Sequence, residues 1–127
     1  PKIAMLSFST KGSASHETVD RVTKALEIIK STHPELEIDG ELQLDAAVVA
    51  EVGQRKAPGS KVAGYANTLI FPNLNAGNIG YKLTQRFGGF DAYGPIFQGF
   101  AKPVSDLSRG CNIIDVVNIA LATINKK

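Results

Sequence analysis

The sequence predicts an α/β fold, a mostly parallel sheet flanked by helices in three α/β/α layers. Two observations lead there: Lys2–Phe8 is a short apolar run of buried-strand type that stops in a polar turn of small residues, Ser9-Thr10-Lys11-Gly12-Ser13. Immediately afterwards the apolar period changes to helical, with Val19, Val22, Leu26 and Ile29 on one face. The same alternation of strand-like and helix-like segments continues along the chain, the pattern of crossover-linked parallel strands whose ligands gather beyond the strands' carboxyl ends.

The first helix is expected over about Ser15 to Thr32, stopped by Pro34, which lacks a backbone donor. Leu36, Ile38, Leu42 and Leu44 suggest a second strand crossed by Asp39, Gly40 and Glu41, and Asp45 is placed to cap a short helix over Ala46–Val52. Gln54–Gly64, polar and holding Pro58 and Gly59, reads as a surface loop. Ala66–Phe71 is an apolar third strand ended by Pro72, and Asn73–Gly80 is a turn-rich crest. A helix follows to Phe87, with Ile79, Leu83 and Phe87 on one face and Gly88-Gly89 ending it. Ala92–Phe97 is expected as a fourth strand, Gln98–Gly110 as a loop, and Ile113–Ile124 as the last helix with Ile113, Val117, Ala120, Leu121 and Ile124 forming its apolar face.

At 127 residues, 43% hydrophobic and 20% charged, the chain can bury a core and is not of disordered composition. A net charge of +2 without a basic run argues against nucleic acid as a partner. The single cysteine, Cys111, excludes an internal disulfide and favours a reducing, cytoplasmic compartment. No residue cluster has zinc-site spacing, so no metal is expected, and no apolar stretch reaches transmembrane length. The chain starts at Pro1 rather than Met, which is compatible with a piece of something longer.

The most suggestive chemistry lies where the last helix begins. Ser108, Arg109, Gly110 and Cys111 run into Asn112 and Asp115, and a guanidinium beside the N–H groups of a helix start favours an oxyanion. The same spacing makes Asn112 an N-cap and Asp115 the acid of a capping box, while Arg109 also suits a solvated charge or a partner for Asp106. Cys111 fits a reactive thiol or a small packed side chain. The turn Ser9–Ser13 fits either a capping turn or a phosphate cradle using Lys11, without Walker or dinucleotide spacing. His16 and His33 suit helix-surface positions. Asp39, Glu41 and Asp45 form an acidic trio for which metal binding is conceivable and otherwise unsupported. Asn73, Asn75, Gly77 and Asn78 have turn chemistry, and Gly94 marks a bend that would aim the Tyr93 hydroxyl.

Five blocks carry a resemblance: Asp39-Gly40-Glu41-Leu42-Gln43, Lys56-Ala57-Pro58-Gly59-Ser60, Gly77-Asn78-Ile79-Gly80-Tyr81-Lys82, Gly94-Pro95 and Asp106-Leu107-Ser108-Arg109-Gly110-Cys111. In order and separation they resemble the phosphate acetyltransferases, or phosphotransacetylases, from end to end, as the C-terminal portion of the phosphate acetyl/butyryltransferase family. The resemblance implies an isocitrate/isopropylmalate dehydrogenase-like fold of two α/β domains with the active site in the cleft between them. Residues 1–93 would be the second of those domains, and 94–127 a returning segment whose last helix packs on the amino-terminal domain.

The implied reaction is reversible acetyl transfer between acetyl phosphate and coenzyme A, part of acetate metabolism, with coenzyme A as substrate rather than cofactor. The family's Ser-Arg pair falls on Ser108 and Arg109, its proposed base on Asp115 and its acetyl phosphate-contacting tyrosine on Tyr93. A homodimer is implied, and so is an isolated chain without activity of its own. Two alternatives stay open. One is a catalytically silent acyl-coenzyme A-binding regulatory domain, as fused to malic enzymes, disfavoured by the intact Ser-Arg-Gly-Cys turn. The other is phosphate butyryltransferase, with the same mechanism and a different acyl pocket.

Overall fold

The computed structural model describes residues 1–126, which fall into two compact units that meet between Ile79 and Gly80 in sequence, within a helix. The first unit holds strand β1 (Lys2–Leu6), helix α1 (Glu17–Thr32), strand β2 (Glu37–Leu42), helices α2 (Leu44–Val48) and α3 (Ala50–Lys56), and strand β3 (Thr68–Ile70). Helix α4 (Leu74–Gly88) crosses the division and α5 (Ile113–Ile124) closes the chain.

The three strands form a parallel sheet in the order β2-β1-β3. Successive side chains of a strand point to opposite faces, and β1 uses this to organise two cores. Ala4 and Leu6 pack with Leu42, Ala47, Ala57, Val62 and Ala63, whereas Met5 packs with Val22, Leu26 and Ile38. Helix α1 therefore covers one face and the α2–α3 segment the other. The helical period read from Val19, Val22 and Leu26 is the buried stripe of α1.

Four expectations require correction. Asp45 does not cap a continuous helix over Ala46–Val52: Gln43 is the N-cap of α2, without a side-chain bond, and the helix breaks at Val49, which is extended at φ −108°, ψ 114°. Asp45 instead sits in the first turn and accepts from Ala46 N at 2.8 Å.

The segment read as a surface loop is partly internal. Its first residues finish α3, and Ala57, Val62 and Ala63 belong to the core. Gly53 and Gly64 permit this: a Cβ on Gly53 would stand 2.5 Å from Gly64 N, and one on Gly64 2.6 Å from Ala50 Cα. Polar composition concealed a close backbone crossing that only these two glycines allow.

The crest at Asn73–Gly80 is mostly the first turns of α4, started by Asn73, whose Oδ1 accepts from Ala76 N at 2.9 Å. Asn and Gly favour turns locally, but here the cap bond recruits them into a helix. Finally, Ala92–Phe97 is not a strand; only an isolated antiparallel bridge joins Ile96 to Ser105. Gly94, at φ 155°, interrupts the extended path, and Pro95 has no N–H to donate to a ladder.

Within the second unit the C-terminal end of α5 is tied to the 96–105 segment. Thr123 Oγ1 donates to Ser105 Oγ at 2.7 Å and Lys126 Nζ donates to the Phe97 carbonyl. Ile119 is its only fully buried hydrophobic residue among those described. Ile113 (83% exposed), Ile114, Val117, Leu121 and Ile124 (78% exposed) leave the apolar side of α5 open. No helix among the described residues is long and apolar enough to cross a membrane.

Candidate functional site

In the second unit, the turn before α5 is compact. Ser108 accepts twice, its carbonyl from Cys111 N at 3.0 Å and its hydroxyl oxygen from Gly110 N at 3.3 Å. Arg109 stands at the apex, exposed, and forms no ion pair among the described residues, Asp106 included. Its guanidinium is therefore not committed to an internal carboxylate. Cys111 is half-buried and free.

Asp115 occupies the third position of α5 and completes the capping box that its spacing suggests. Asn112 Oδ1 accepts from Asp115 N at 3.0 Å, and Asp115 Oδ2 accepts from Asn112 N at 2.9 Å. The capping and catalytic readings are compatible, because the cap engages only Oδ2. Oδ1 has no hydrogen bond within the described residues, so a fixed carboxylate keeps one oxygen for another donor. Tyr93 lies just before the Gly94 bend and is about half exposed.

In the first unit a second polar cluster joins the turn after β1 to Asp39 and Glu41 within β2. The turn Ser9–Ser13 does not offer its backbone donors to a ligand. Thr10 N goes to Ser13 Oγ (3.0 Å), Lys11 N to the Glu41 carbonyl (3.2 Å), Gly12 N to Glu41 Oε1 (2.7 Å) and Ser13 N to the Thr10 carbonyl (3.1 Å). Ser9 Oγ adds a 2.8 Å bond to Glu41 Oε1, and Glu41 is 3% exposed. A cradle of backbone N–H groups is thus excluded here by internal partners.

Asp39 is ringed by donors. Its Oδ1 meets Lys11 Nζ at 2.6 Å and Lys30 Nζ at 3.4 Å, and its Oδ2 accepts from Ser60 Oγ at 2.5 Å. Burial by itself would raise the Asp39 carboxyl, but hydrogen bonds from Lys11, Ser60 and the Gly40 backbone, with the Lys11 charge, bring it below its ordinary value. Lys56 Nζ bonds Gln43 Oε1 at 2.8 Å and Asp45 Oδ2 at 2.9 Å, which holds exposed Asp45 low as well. The three acids are therefore each satisfied separately, and among the described residues no group of His, Cys, Asp or Glu is arranged to hold a metal. His16 Nδ1 caps α1 by accepting from Thr18 N at 3.2 Å.

The family model described as phosphate acetyl/butaryl transferase matches residues 1–124. The chain belongs to this family. It is 63% identical over 123 residues to the phosphate acetyltransferase of Thermoanaerobacterium thermosaccharolyticum, covering 97% of this chain and 38% of that protein. To the phosphate acetyltransferase of Bacillus subtilis it is 57% identical, again over 97% of this chain and 38% of the relative. The phosphotransacetylase structure from Streptococcus pyogenes superposes with a TM-score of 0.92 at 58% identity, over 97% of this chain and 37% of that one. The chain thus spans under two-fifths of its relatives' length.

The Asp-Gly-Glu-Leu-Gln and Lys-Ala-Pro-Gly-Ser blocks by which this phosphate acetyl/butaryl transferase chain resembles its family meet in space, through Ser60 to Asp39 and Lys56 to Gln43. Residue pattern alone does not single out Glu41, which binds Ser9 Oγ and Gly12 N. A buried acid between Gly40 and the core residue Leu42, late in β2, is the signal that marks it. Gly40 is required there, since a Cβ would lie 2.7 Å from Met5 Cβ.

Proposed function

We propose that the protein carrying this chain transfers an acetyl group reversibly between acetyl phosphate and coenzyme A. Ser108, Arg109 and Asp115 act in the chemical step, and Tyr93 contacts the acetyl phosphate. The observation that carries the reading is the single-oxygen cap: Asn112 orients the Asp115 carboxylate through Oδ2, leaving Oδ1 to accept a proton. The unpaired Arg109 guanidinium precedes it in the same turn-to-helix junction.

A coenzyme A thiol, ordinarily near a pKa of about 8.5, is mostly protonated at neutral pH and needs a base. Asp115 takes the S–H proton as sulfur forms its bond to the acetyl carbonyl carbon. Ser108 donates a hydrogen bond to the oxyanion that develops there, which strengthens as charge builds. The bond between the acyl carbon and the bridging oxygen then breaks, its electron pair leaves with that oxygen as phosphate, and Arg109 binds the dianion through its planar fork. Acetyl-coenzyme A and inorganic phosphate result, and no external oxidant or reductant enters.

The fractional coverage of the relatives supports a larger parent, and the family resemblance suggests for it an isocitrate/isopropylmalate dehydrogenase-like pair of α/β domains. In it, residues 1–93 form the second domain and 94–127 return to the first, which would cover the open apolar side of α5. A cytoplasmic homodimer is the assembly this reading favours. Butyryl phosphate is the second substrate to test, because the matching family model includes both acyl groups. The deciding experiment is thiol consumption with acetyl phosphate and butyryl phosphate, using the full-length protein and this chain alone. Transfer abolished in Asp115→Asn and Arg109→Ala supports the assignment; unchanged kinetics in either overturns it, and tight acyl-coenzyme A binding without turnover by the full-length protein favours a regulatory domain.

A further inference from the structure

The strand order β2-β1-β3 reverses at β1, because the chain steps to one side to form β2 and then returns past β1 to form β3. In an open parallel sheet such a reversal leaves a crevice at the carboxyl ends of the strands, and ligands enter there. The first unit has a hollow at this place. Met5 and Leu6 at the end of β1, and Ile70 and Phe71 at and just past the end of β3, enclose about 110 Å³ together with Val22 and Ala25 of α1.

The lining carries one charge. Arg21 of α1 borders the hollow, is exposed, and forms no ion pair among the described residues, Glu17 one helical turn away included. Its guanidinium therefore keeps its donors for an external anion, and a planar fork matches the two oxygens of a carboxylate. The apolar lining works against a more highly charged ligand. A phosphate dianion would lose water against Met5, Val22 and Ala25 and gain a single cation in return. The complement of the hollow is an aliphatic tail that ends in one carboxylate.

Size sets the length of that tail. An apolar cavity of about 150 Å³ holds benzene, so one of about 110 Å³ holds about four carbon atoms. We propose that this hollow binds a short-chain aliphatic carboxylate, best fitted by butyrate, with its tail against the ends of β1 and β3 and its carboxylate on Arg21. The site lies wholly within the first unit and stands whether or not the acetyl-transfer reading holds.

The test is a ligand-observed NMR titration of the full-length protein with sodium butyrate, sodium acetate and inorganic phosphate at constant ionic strength. Butyrate is expected to bind with a Kd on the order of 1 mM, the range open to so small a ligand. Acetate, shorter by two methylenes, should bind about fifteenfold more weakly, and phosphate should not displace butyrate. Arg21→Met should weaken butyrate about tenfold, and Ala25→Leu, which fills the hollow, should abolish its binding. Lys24→Met, an exposed charge on the same helix, should change nothing. No saturable butyrate binding, acetate bound as tightly as butyrate, displacement by phosphate, or an affinity in Arg21→Met within about twofold of the unmutated protein overturns the proposal. Butyrate binding lost in Arg109→Ala and retained in Arg21→Met assigns it to the turn before α5 and overturns the proposal as well. Should Ala25→Leu fail to fold, Arg21→Met and the acetate comparison decide.

Discussion

Asn112 and Asp115 cap one another: each side chain accepts from the other's backbone N–H, at 3.0 Å and 2.9 Å, so the carboxylate proposed as the base is also a structural element of α5. Stability and turnover can therefore be separated by choosing which partner to change. Asp115→Asn retains an oxygen acceptor for Asn112 N and should cost under about 1 kcal/mol by thermal denaturation. The same substitution should lower kcat of the full-length protein by about a hundredfold or more, since an amide cannot take the thiol proton. Asn112→Ala should show the opposite weighting, about 1 kcal/mol of stability with a smaller loss of rate. Paired melting curves and thiol-release kinetics check both.

Ser108 and Arg109 contribute little to the fold, because Arg109 is exposed without an internal ion pair and Ser108 accepts only from its own turn. Arg109→Lys keeps the charge but loses the bidentate fork, and should still reduce kcat/KM for acetyl phosphate by about tenfold or more. Ser108→Ala should lower kcat by roughly ten- to a hundredfold, somewhat less than is typical for removing an oxyanion donor because the Arg109 charge remains. Melting temperatures within a degree or two of the unmutated protein would confirm that the loss is chemical.

Gly64 is the most sensitive backbone position of the first unit. It combines φ 83° with a site where a Cβ would stand 2.6 Å from Ala50 Cα, and that neighbour is backbone. Gly64→Ala should destabilise by about 3 kcal/mol or more, from left-handed strain together with steric overlap. Gly59→Ala, at φ 84° with nothing within 4 Å of its Cβ, should cost only the conformational part, about 1 kcal/mol. Urea denaturation of the two variants measures the difference.

Asp39 makes stability acid-sensitive. Its folded carboxyl lies below the ordinary 3.8 despite burial, so near that pH the unfolded chain binds more protons and acid favours unfolding. Its contribution is complete above about pH 5 and is lost as pH falls through the folded value. Denaturation midpoints of the unmutated protein and Asp39→Asn should differ at pH 7 and draw together as pH falls below 3.8. Asp45 is shifted the same way but is exposed, so solvent screening makes its share small.

Local signals determined much of this chain. The apolar run of β1, the 3.6-residue stripe of α1 and the Asn112-to-Asp115 spacing each act within a few residues, and each element formed where its pattern placed it. The five blocks also sufficed to identify the family. What tertiary structure decided are the long-range matters. Val62 and Ala63 reach the core because Gly53 and Gly64 let two backbones cross, and Ser9–Ser13 cannot cradle an anion because Glu41, far away in sequence, takes Lys11 N and Gly12 N while Thr10 N and Ser13 N are bonded within the turn. Whether a hydrogen-bond donor is free depends on which acceptor the fold brings to it. Residue types and spacing specify the donor; only the packed chain supplies the acceptor.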